Sequence, residues 1–358
     1  MRAGVFVDVD EFAVEEVEPL PAGPRDVIVR VGASGVCHSD LSVLSGLTGL
    51  PGPIVLGHEA AGRVEWVGAE VTRVAVGDHV IASLNPMCGA CWFCARGETH
   101  LCETSGAIMF QPRVTRSGGD IAPCMAGLGS FAEAMTVSET SLVRIETDLP
   151  DDQIALLGCG VTTGLGAVIN AARPPVGATI AVIGLGGVGM ASLQGARICG
   201  ASTIVAIDPV EAKRTAALRL GATHAIDPSV GPIDAQVREL TGGRGVDVVV
   251  EAVGSGPLLE QALGATRRGG TTVVVGSAAF DVTVALTPAV LMIDDRTIQG
   301  AYFGRTRALA DLPKYVRLAE TGRLDLSSMV SRRISLDEVG EALASLAEGG
   351  DAIRSVVV

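Results

Sequence analysis

The sequence predicts an α/β protein of two domains, one mostly β and one a doubly wound parallel sheet. Its 358 residues are roughly twice what a single domain needs. Hydrophobic residues make up 48% and charged residues 19%, which suits a sizeable core and excludes a disordered chain. The pattern also changes near Pro174: short β-like runs broken by Gly and Pro give way to strand-like runs alternating with helical ones.

In the first region Val27–Val31, Ala61–Val67, His79–Ala82 and Phe131–Val137 read as strands of an irregular β domain. In the second, Thr179–Ile183, Thr203–Ile207, Ala225–Ile226, Asp247–Glu251, Thr272–Val275 and Thr297–Ala301 read as six strands. Helical stretches such as Glu211–Leu220 and Leu258–Thr266 lie between them. Strands this uniformly apolar are buried on both faces, which implies a parallel sheet covered by helices. Ala308–Val358 mixes two helical patterns with strand-like ends and is expected to rejoin the first domain. The expected division is 1–160 with 303–358, a cysteine lobe at 88–102, and 161–302.

The charge sum, 27 basic minus 40 acidic, is −13. That disfavours nucleic acid, which needs a basic face, and anionic membrane surfaces. Between Asp152 and Arg197 the only charge is Arg173, a length sufficient for two membrane helices. Ten glycines and a strand-to-turn pattern at Ala178–Gly189 favour a buried core there instead. The N-terminus has no basic segment followed by an apolar run, so a cytoplasmic location with reduced thiols is expected.

Gly184-Leu185-Gly186-Gly187-Val188-Gly189 fits G-x-G-x-x-G, after a strand and before the helical run Met190–Cys199. Asp208 ends the next strand 19 residues after Gly189, close to the spacing of about 20 for a ribose-binding acid. Glycines there let backbone N–H groups approach a pyrophosphate at a helix N-terminus. The carboxylate would accept from the adenosine ribose and repel a 2′-phosphate, which favours NAD over NADP, and Lys213 could reach the same ribose. A close-packed turn without a ligand is the plainer alternative.

Cys88-x2-Cys91-x2-Cys94-x7-Cys102 is the strongest local signal. Four thiolates can close a tetrahedral shell around zinc with no open position, hence a structural site. An iron–sulfur cluster is the second reading, although that run has three residues before its fourth Cys and then Pro. Disulfides are the third. Cys37, His58 and Cys159 are dispersed, and each alone is more often a core residue than a ligand. Their settings are Gly35-Val36-Cys37-His38-Ser39-Asp40, Gly57-His58-Glu59-Ala60-Ala61-Gly62 and Gly158-Cys159-Gly160.

In these motifs, the cysteine lobe and the Gly184–Gly189 turn, the chain resembles the zinc-dependent medium-chain alcohol dehydrogenases over nearly its whole length. The resemblance implies a GroES-like catalytic domain and a Rossmann NAD-binding domain, with the active site in the cleft between them. It implies two zinc ions, one held by Cys37, His58 and Cys159 with a fourth position for water or substrate, and one in the lobe. Glu59 would lie near the first metal, and Asp40 would orient His58 through its far nitrogen. Ser39 would bond the substrate hydroxyl and relay its proton. Thr163 and Val188 would pack near the nicotinamide, and His38 and Arg354 would contact the pyrophosphate. Ser42 stands where relatives keep a His that ends the proton relay.

Leu84, Met125 and Tyr302 would line the pocket by the same matching, and Glu103–Gly129 would form a loop at its mouth. That stretch has no Arg just after Cys102, and Arg113 and Arg116 read as solvated. The resemblance therefore points to hydride transfer between NAD and an apolar primary or secondary alcohol, giving an aldehyde or ketone. A thiol-adduct formaldehyde dehydrogenase and a non-catalytic relative are the alternatives. It also implies a homodimer or homotetramer, with the last Rossmann strand pairing across a two-fold axis. Cys124 and Cys199 belong to no motif and read as structural.

Overall fold

The computed structural model describes all 358 residues. The chain divides into two compact units, Met1–Gly160 with Arg307–Val358, and Val161–Thr306.

The first unit is built on two sheets. One is antiparallel, ordered Ile54–Val55, Arg2–Asp8, Glu11–Pro19, Pro112–Arg116, Ile121–Pro123. The other has seven strands. Its path runs Leu142–Ile145, His79–Ala82, Ala60–Val67, Asp26–Gly35, Arg354–Val357, Val330–Ile334, and Ala134–Ser138 also pairs with Asp26–Gly35. Alternating residues of these strands point into one core, where Val27, Val29, Val64, Val80, Val137 and Leu142 pack around Leu128. The last strand pairs Val356 with Gly35 and so sets the carboxyl end of the chain beside the segment that carries Cys37.

Glu103–Gly129 is not the loop expected from the sequence. It forms a short helix, Ser105–Met109, and the antiparallel pair Pro112–Arg116 and Ile121–Pro123, which extends the first sheet by pairing with Glu11–Pro19. Val114 and Ala122 bury their side chains against Ala3 and Val5, and this apolar contact draws the segment onto the sheet. Arg113 and Arg116 are likewise not solvated: Arg113 pairs with Asp26 at 2.8 Å and Arg116 with Glu15 at 2.5 Å.

The second unit is a six-stranded, fully parallel sheet, ordered His224–Ile226, Thr203–Ile207, Thr179–Ile183, Val246–Glu251, Thr266–Val274, Thr297–Gly300. In chain order this is 3-2-1-4-5-6, the doubly wound arrangement with a switch point between its first and fourth strands. The six strands match the sequence reading within a few residues, except that the fifth begins earlier, at Thr266. The charge-poor stretch supplies the central strand and the buried helix Gly187–Ile198. No single helix is long and apolar enough to cross a membrane.

Candidate functional site

Cys37, His58 and Cys159 come from three places in the first unit. Cys37 caps the helix His38–Leu44 just after the long strand Asp26–Gly35. His58 precedes the strand Ala60–Val67, and Cys159 follows the helical turns Asp151–Ile154 and Ala155–Gly158. All three are buried, and their ligand atoms lie within 4.8 Å of one another. The Asp40 carboxylate explains part of this convergence. It accepts from the Cys37 N–H at 3.0 Å, from the Gly57 N–H at 3.0 Å and from His58 Nδ1 at 3.1 Å. His58 is thereby turned so that Nε2 faces inward, where it is buried and has no hydrogen-bond partner. A buried, unpaired ring nitrogen costs free energy unless something occupies it.

The two sulfurs show the same need. The Cys37 thiol is held well below its ordinary value by the hydrogen bond with Cys159, against the effect of burial, and Cys159 is pushed up by the same contact. Two cysteine sulfurs in contact beside an open imidazole nitrogen are the donor set a divalent zinc ion takes. The residues present therefore fit the metal.

Glu59 and Arg354 lie alongside. Glu59 Oε1 accepts from the Gly160 N–H at 2.6 Å and from Arg354 Nη2 at 3.4 Å. Burial pushes the Glu59 carboxyl up to about 7, opposed by Arg354. Arg354 Nη2 is also 3.5 Å from Cys37 Sγ, and the side chain is buried. The Glu59–Arg354 pair was missed by the sequence reading; it follows from the Val356–Gly35 strand pairing. Ser39 Oγ sits 3.8 Å from Cys37 Sγ. His38 is exposed on the same helix, and the Ser42 hydroxyl donates to the His38 carbonyl at 2.9 Å.

The lobe cysteines Cys88, Cys91, Cys94 and Cys102 also converge within 4.8 Å. Cys88 and Cys94 are 4.0 Å apart, as are Cys91 and Cys102. That is twice a disulfide length of about 2.05 Å. A tetrahedron of sulfurs about 2.3 Å from one ion has edges close to these separations. A multi-metal cluster would need a wider mouth. Backbone N–H groups of Ala90 and Cys91 donate to Cys88 Sγ and pull that thiol down to about 6, while burial pushes Cys94 up to about 12. Cys124 belongs to neither group; it is buried, and burial raises its thiol to about 12.

In the second unit the three glycines of the turn do different work. Gly184 has φ +88°. A Cβ on Gly189 would lie 1.8 Å from the Gly184 carbonyl, so helix and strand approach too closely for a side chain. Around Gly186, the N-cap of the helix Gly187–Ile198, a Cβ would meet nothing within 4 Å. That open backbone at a helix start is the cradle a pyrophosphate needs, so the turn fits NAD. Asp208 is buried and accepts from the Leu185 and Val210 N–H groups, both at 2.8 Å. Lys213 lies on the following helix, Glu211–Arg219, and Thr163 on the helix Gly160–Gly166. Val188 accepts from Ser192 Oγ at 2.9 Å.

Of the three expected pocket residues, Leu84 and Met125 lie in the first unit and Tyr302 in the second. Leu84 packs with the cluster around Leu128, and its N–H reaches the Gly158 carbonyl at 3.5 Å. Met125 packs with a different cluster, around Phe131. Tyr302 is 51% exposed in the second unit.

A buried three-donor metal site in a chain that also carries an open dinucleotide turn defines a metal-dependent dehydrogenase. Comparison with known proteins makes this particular. Residues 23–147 match the alcohol dehydrogenase GroES-like domain family, and residues 187–321 match the zinc-binding dehydrogenase family. The NDMA-dependent alcohol dehydrogenase of Amycolatopsis methanolica is 39% identical over 97% of this chain and 95% of its own length. The S-(hydroxymethyl)glutathione dehydrogenase of Synechocystis is 37% identical over 99% of both. The crystal structure of benzyl alcohol dehydrogenase from Acinetobacter calcoaceticus superposes with a TM-score of 0.92 at 31% identity, covering 99% of this chain and 98% of that one. The chain belongs to the zinc-dependent medium-chain alcohol dehydrogenases, a family of NAD-dependent oxidoreductases acting on small molecules.

Proposed function

We propose that the protein transfers hydride reversibly between a neutral primary or secondary alcohol and NAD, and that it holds two zinc ions. Cys37, His58 and Cys159 would hold the catalytic ion, and Cys88, Cys91, Cys94 and Cys102 the structural one. The observation that carries this reading is the buried His58 Nε2, unpaired and grouped with two cysteine sulfurs. When bound, the catalytic ion supplies Lewis acidity that makes an alcohol proton easier to remove.

The remaining work falls to the chain's own groups. Asp40 fixes the tautomer and angle of His58 through Nδ1. Ser39, beside Cys37, takes the alcohol proton and passes it outward, with solvent ending the relay because Ser42 stands where relatives keep a His. Glu59 and Arg354 are an internal charge pair next to the metal ligands. The Gly186 backbone holds the pyrophosphate, Asp208 with Lys213 the ribose, and Thr163 and Val188 pack near the nicotinamide. Contacts of His38 and Arg354 to the pyrophosphate, and a pocket formed by Leu84, Met125 and Tyr302, are part of the same proposal.

The thiol-adduct alternative would need cationic side chains free to hold an acidic adduct, and Arg113 and Arg116 are already engaged by Asp26 and Glu15. A homodimer or homotetramer in the cytoplasm completes the proposal; Thr297–Gly300 is the open edge of its sheet, suited to pairing with a second copy. The test is a panel of primary and secondary alcohols with NAD, following NADH and counting zinc. NADH formation with about two zinc per chain is expected. Turnover only when a low-molecular-weight thiol accompanies formaldehyde would overturn the substrate assignment, and protein purified without zinc would overturn the mechanism.

A further inference from the structure

Two buried acids flank the dinucleotide turn. Asp208, at the end of the second Rossmann strand, is accounted for above. Glu251, at the end of the fourth, is not. It is 1% exposed, and its Oε1 accepts from the N–H groups of both Val253 and Gly254 at 2.9 Å. Its main-chain carbonyl accepts from Val275 and Gly276, both at 3.0 Å, and the next residue, Ala252, donates to the Ile183 carbonyl at 2.9 Å. Glu251 thus ties together the segments leaving the fourth and fifth strands, and its neighbour Ala252 adds the end of the first, all at their carboxyl ends.

The packing around it is tight. A Cβ on Gly276 would lie 2.0 Å from the Gly254 nitrogen, and one on Gly254 would lie 2.3 Å from the Ser277 carbonyl. A Cβ on Gly184, the first glycine of the turn, would lie 2.5 Å from Val253 Cγ2. The Val253 side chain, 46% exposed, therefore lies against the first glycine of the turn, and the Glu251 carboxylate holds the Val253 backbone. In open doubly wound sheets the dinucleotide lies outside the strand ends at the switch point, which here falls between the first and fourth strands.

We propose that Glu251 is a positioning residue for the dinucleotide: its carboxylate fixes the backbone of Val253 and Gly254, and through the Val253 side chain it holds the Gly184 end of the turn in the shape that receives the pyrophosphate. This rests on the NAD reading above. It does not involve the metal site, and it assigns a binding function to an acid that touches no cofactor atom itself. A buried carboxylate in the core of a sheet is costly, because burial raises its proton affinity. Two main-chain amides aimed at one oxygen offset that cost and make the loop rigid.

The test uses the full chain and reads NADH fluorescence on binding, which needs no turnover, together with the KM for NAD, kcat and the melting temperature. Three variants are compared: Glu251→Ala, Glu251→Gln and Val253→Ala. Glu251→Gln keeps an acceptor oxygen and should bind NADH within about twofold of the parent. Glu251→Ala and Val253→Ala should each weaken NADH binding and raise the KM for NAD by about tenfold, with a much smaller change in kcat and with the KM for alcohol unmoved. Val253→Ala leaves the buried acid in place and carries the test if Glu251→Ala fails to fold. Parent-like NADH affinity in Val253→Ala, or equal losses in Glu251→Gln and Glu251→Ala, would overturn the proposal. Failure of the parent chain itself to bind NADH would overturn the NAD reading and this proposal with it, so the two failures are separable.

Discussion

The cysteines of the lobe all fall within residues 88–102 and are held by their own backbone, whereas Cys37, His58 and Cys159 are brought together from three distant parts of the first unit. In the lobe, sulfurs accept from the N–H groups of Cys88, Ala90, Cys91 and Cys94, so the ligand shell carries its own support. At the buried site the support is distant. Asp40 spans from Cys37 to His58, and Glu59 reaches Gly160 across 101 positions. The lobe offers four sulfurs and no vacancy. The buried site offers three donors and surrounds them with a carboxylate, a guanidinium and a hydroxyl. A shell that only stabilises can be local and complete, while one that does chemistry must stay incomplete and be held open by its surroundings.

The sharpest way to break this contrast is to remove one donor from each site. His58→Ala should cut turnover roughly a thousandfold, since the polarising ion is worth several kcal/mol, and leave about one zinc and a nearly unchanged melting temperature. Cys94→Ser should do the reverse to the fold: the lobe metal is lost, and soluble yield and melting temperature fall. Metal analysis and calorimetry on both variants check this. If each variant lost both metals, the two sites would not be independent.

A smaller effect probes the distant support. Asp40→Asn is nearly the same shape, but three N–H donors converge on its two oxygens. An amide NH2 must then face at least one of them. Zinc at the buried site should exchange or weaken by 10- to 100-fold, the usual range for a residue that orients a metal-bound His. The rate of zinc release to a chelator measures it, with the lobe zinc of the same molecule as the internal reference.

What was legible in the sequence follows the same division. The cysteine lobe and the Gly184–Gly189 turn could be read because their parts are close in sequence and their spacing is the signal. The six Rossmann strands could be read because each is a continuous buried run. The dispersed donors were reached through resemblance, with no periodicity to announce them. Arg354 shows the limit: its contacts with Glu59 and Cys37 depend on one strand pairing between residues 295 positions or more apart. The segment Glu103–Gly129 shows another. Pro112–Arg116 and Ile121–Pro123 are too short to declare themselves, and they become strands because Glu11–Pro19 offers an edge and Asp26 and Glu15 offer charges. Glu251 lay inside an apolar run, and only the sheet shows which loops it joins.

The smallest expected effect lies furthest from either metal. Cys159 is delivered by the segment that begins at Asp151, and Asp151 is tied down by His79, whose Nε2 lies 2.7 Å from Oδ1. That hydrogen bond, against the effect of burial, holds the Asp151 carboxyl below its ordinary value. A carboxyl whose folded-state value is depressed stabilises the fold above its unfolded value and loses that contribution as the pH falls through the folded one. Asp151→Asn should therefore lower stability by about 1 kcal/mol or less at neutral pH, since the carboxylate is partly exposed. The difference from the parent should close as the pH is taken down through the carboxylate range. Denaturant melts of both proteins at several pH values measure it, and a gap that persists in acid would show that the Asp151 charge is not what anchors this segment. Asp151 lies outside the lobe at 88–102, so the lobe's zinc affinity in Asp151→Asn should match the parent at every pH where the chain is folded. A loss of zinc from the lobe in that variant would mean that the two sites share their support after all.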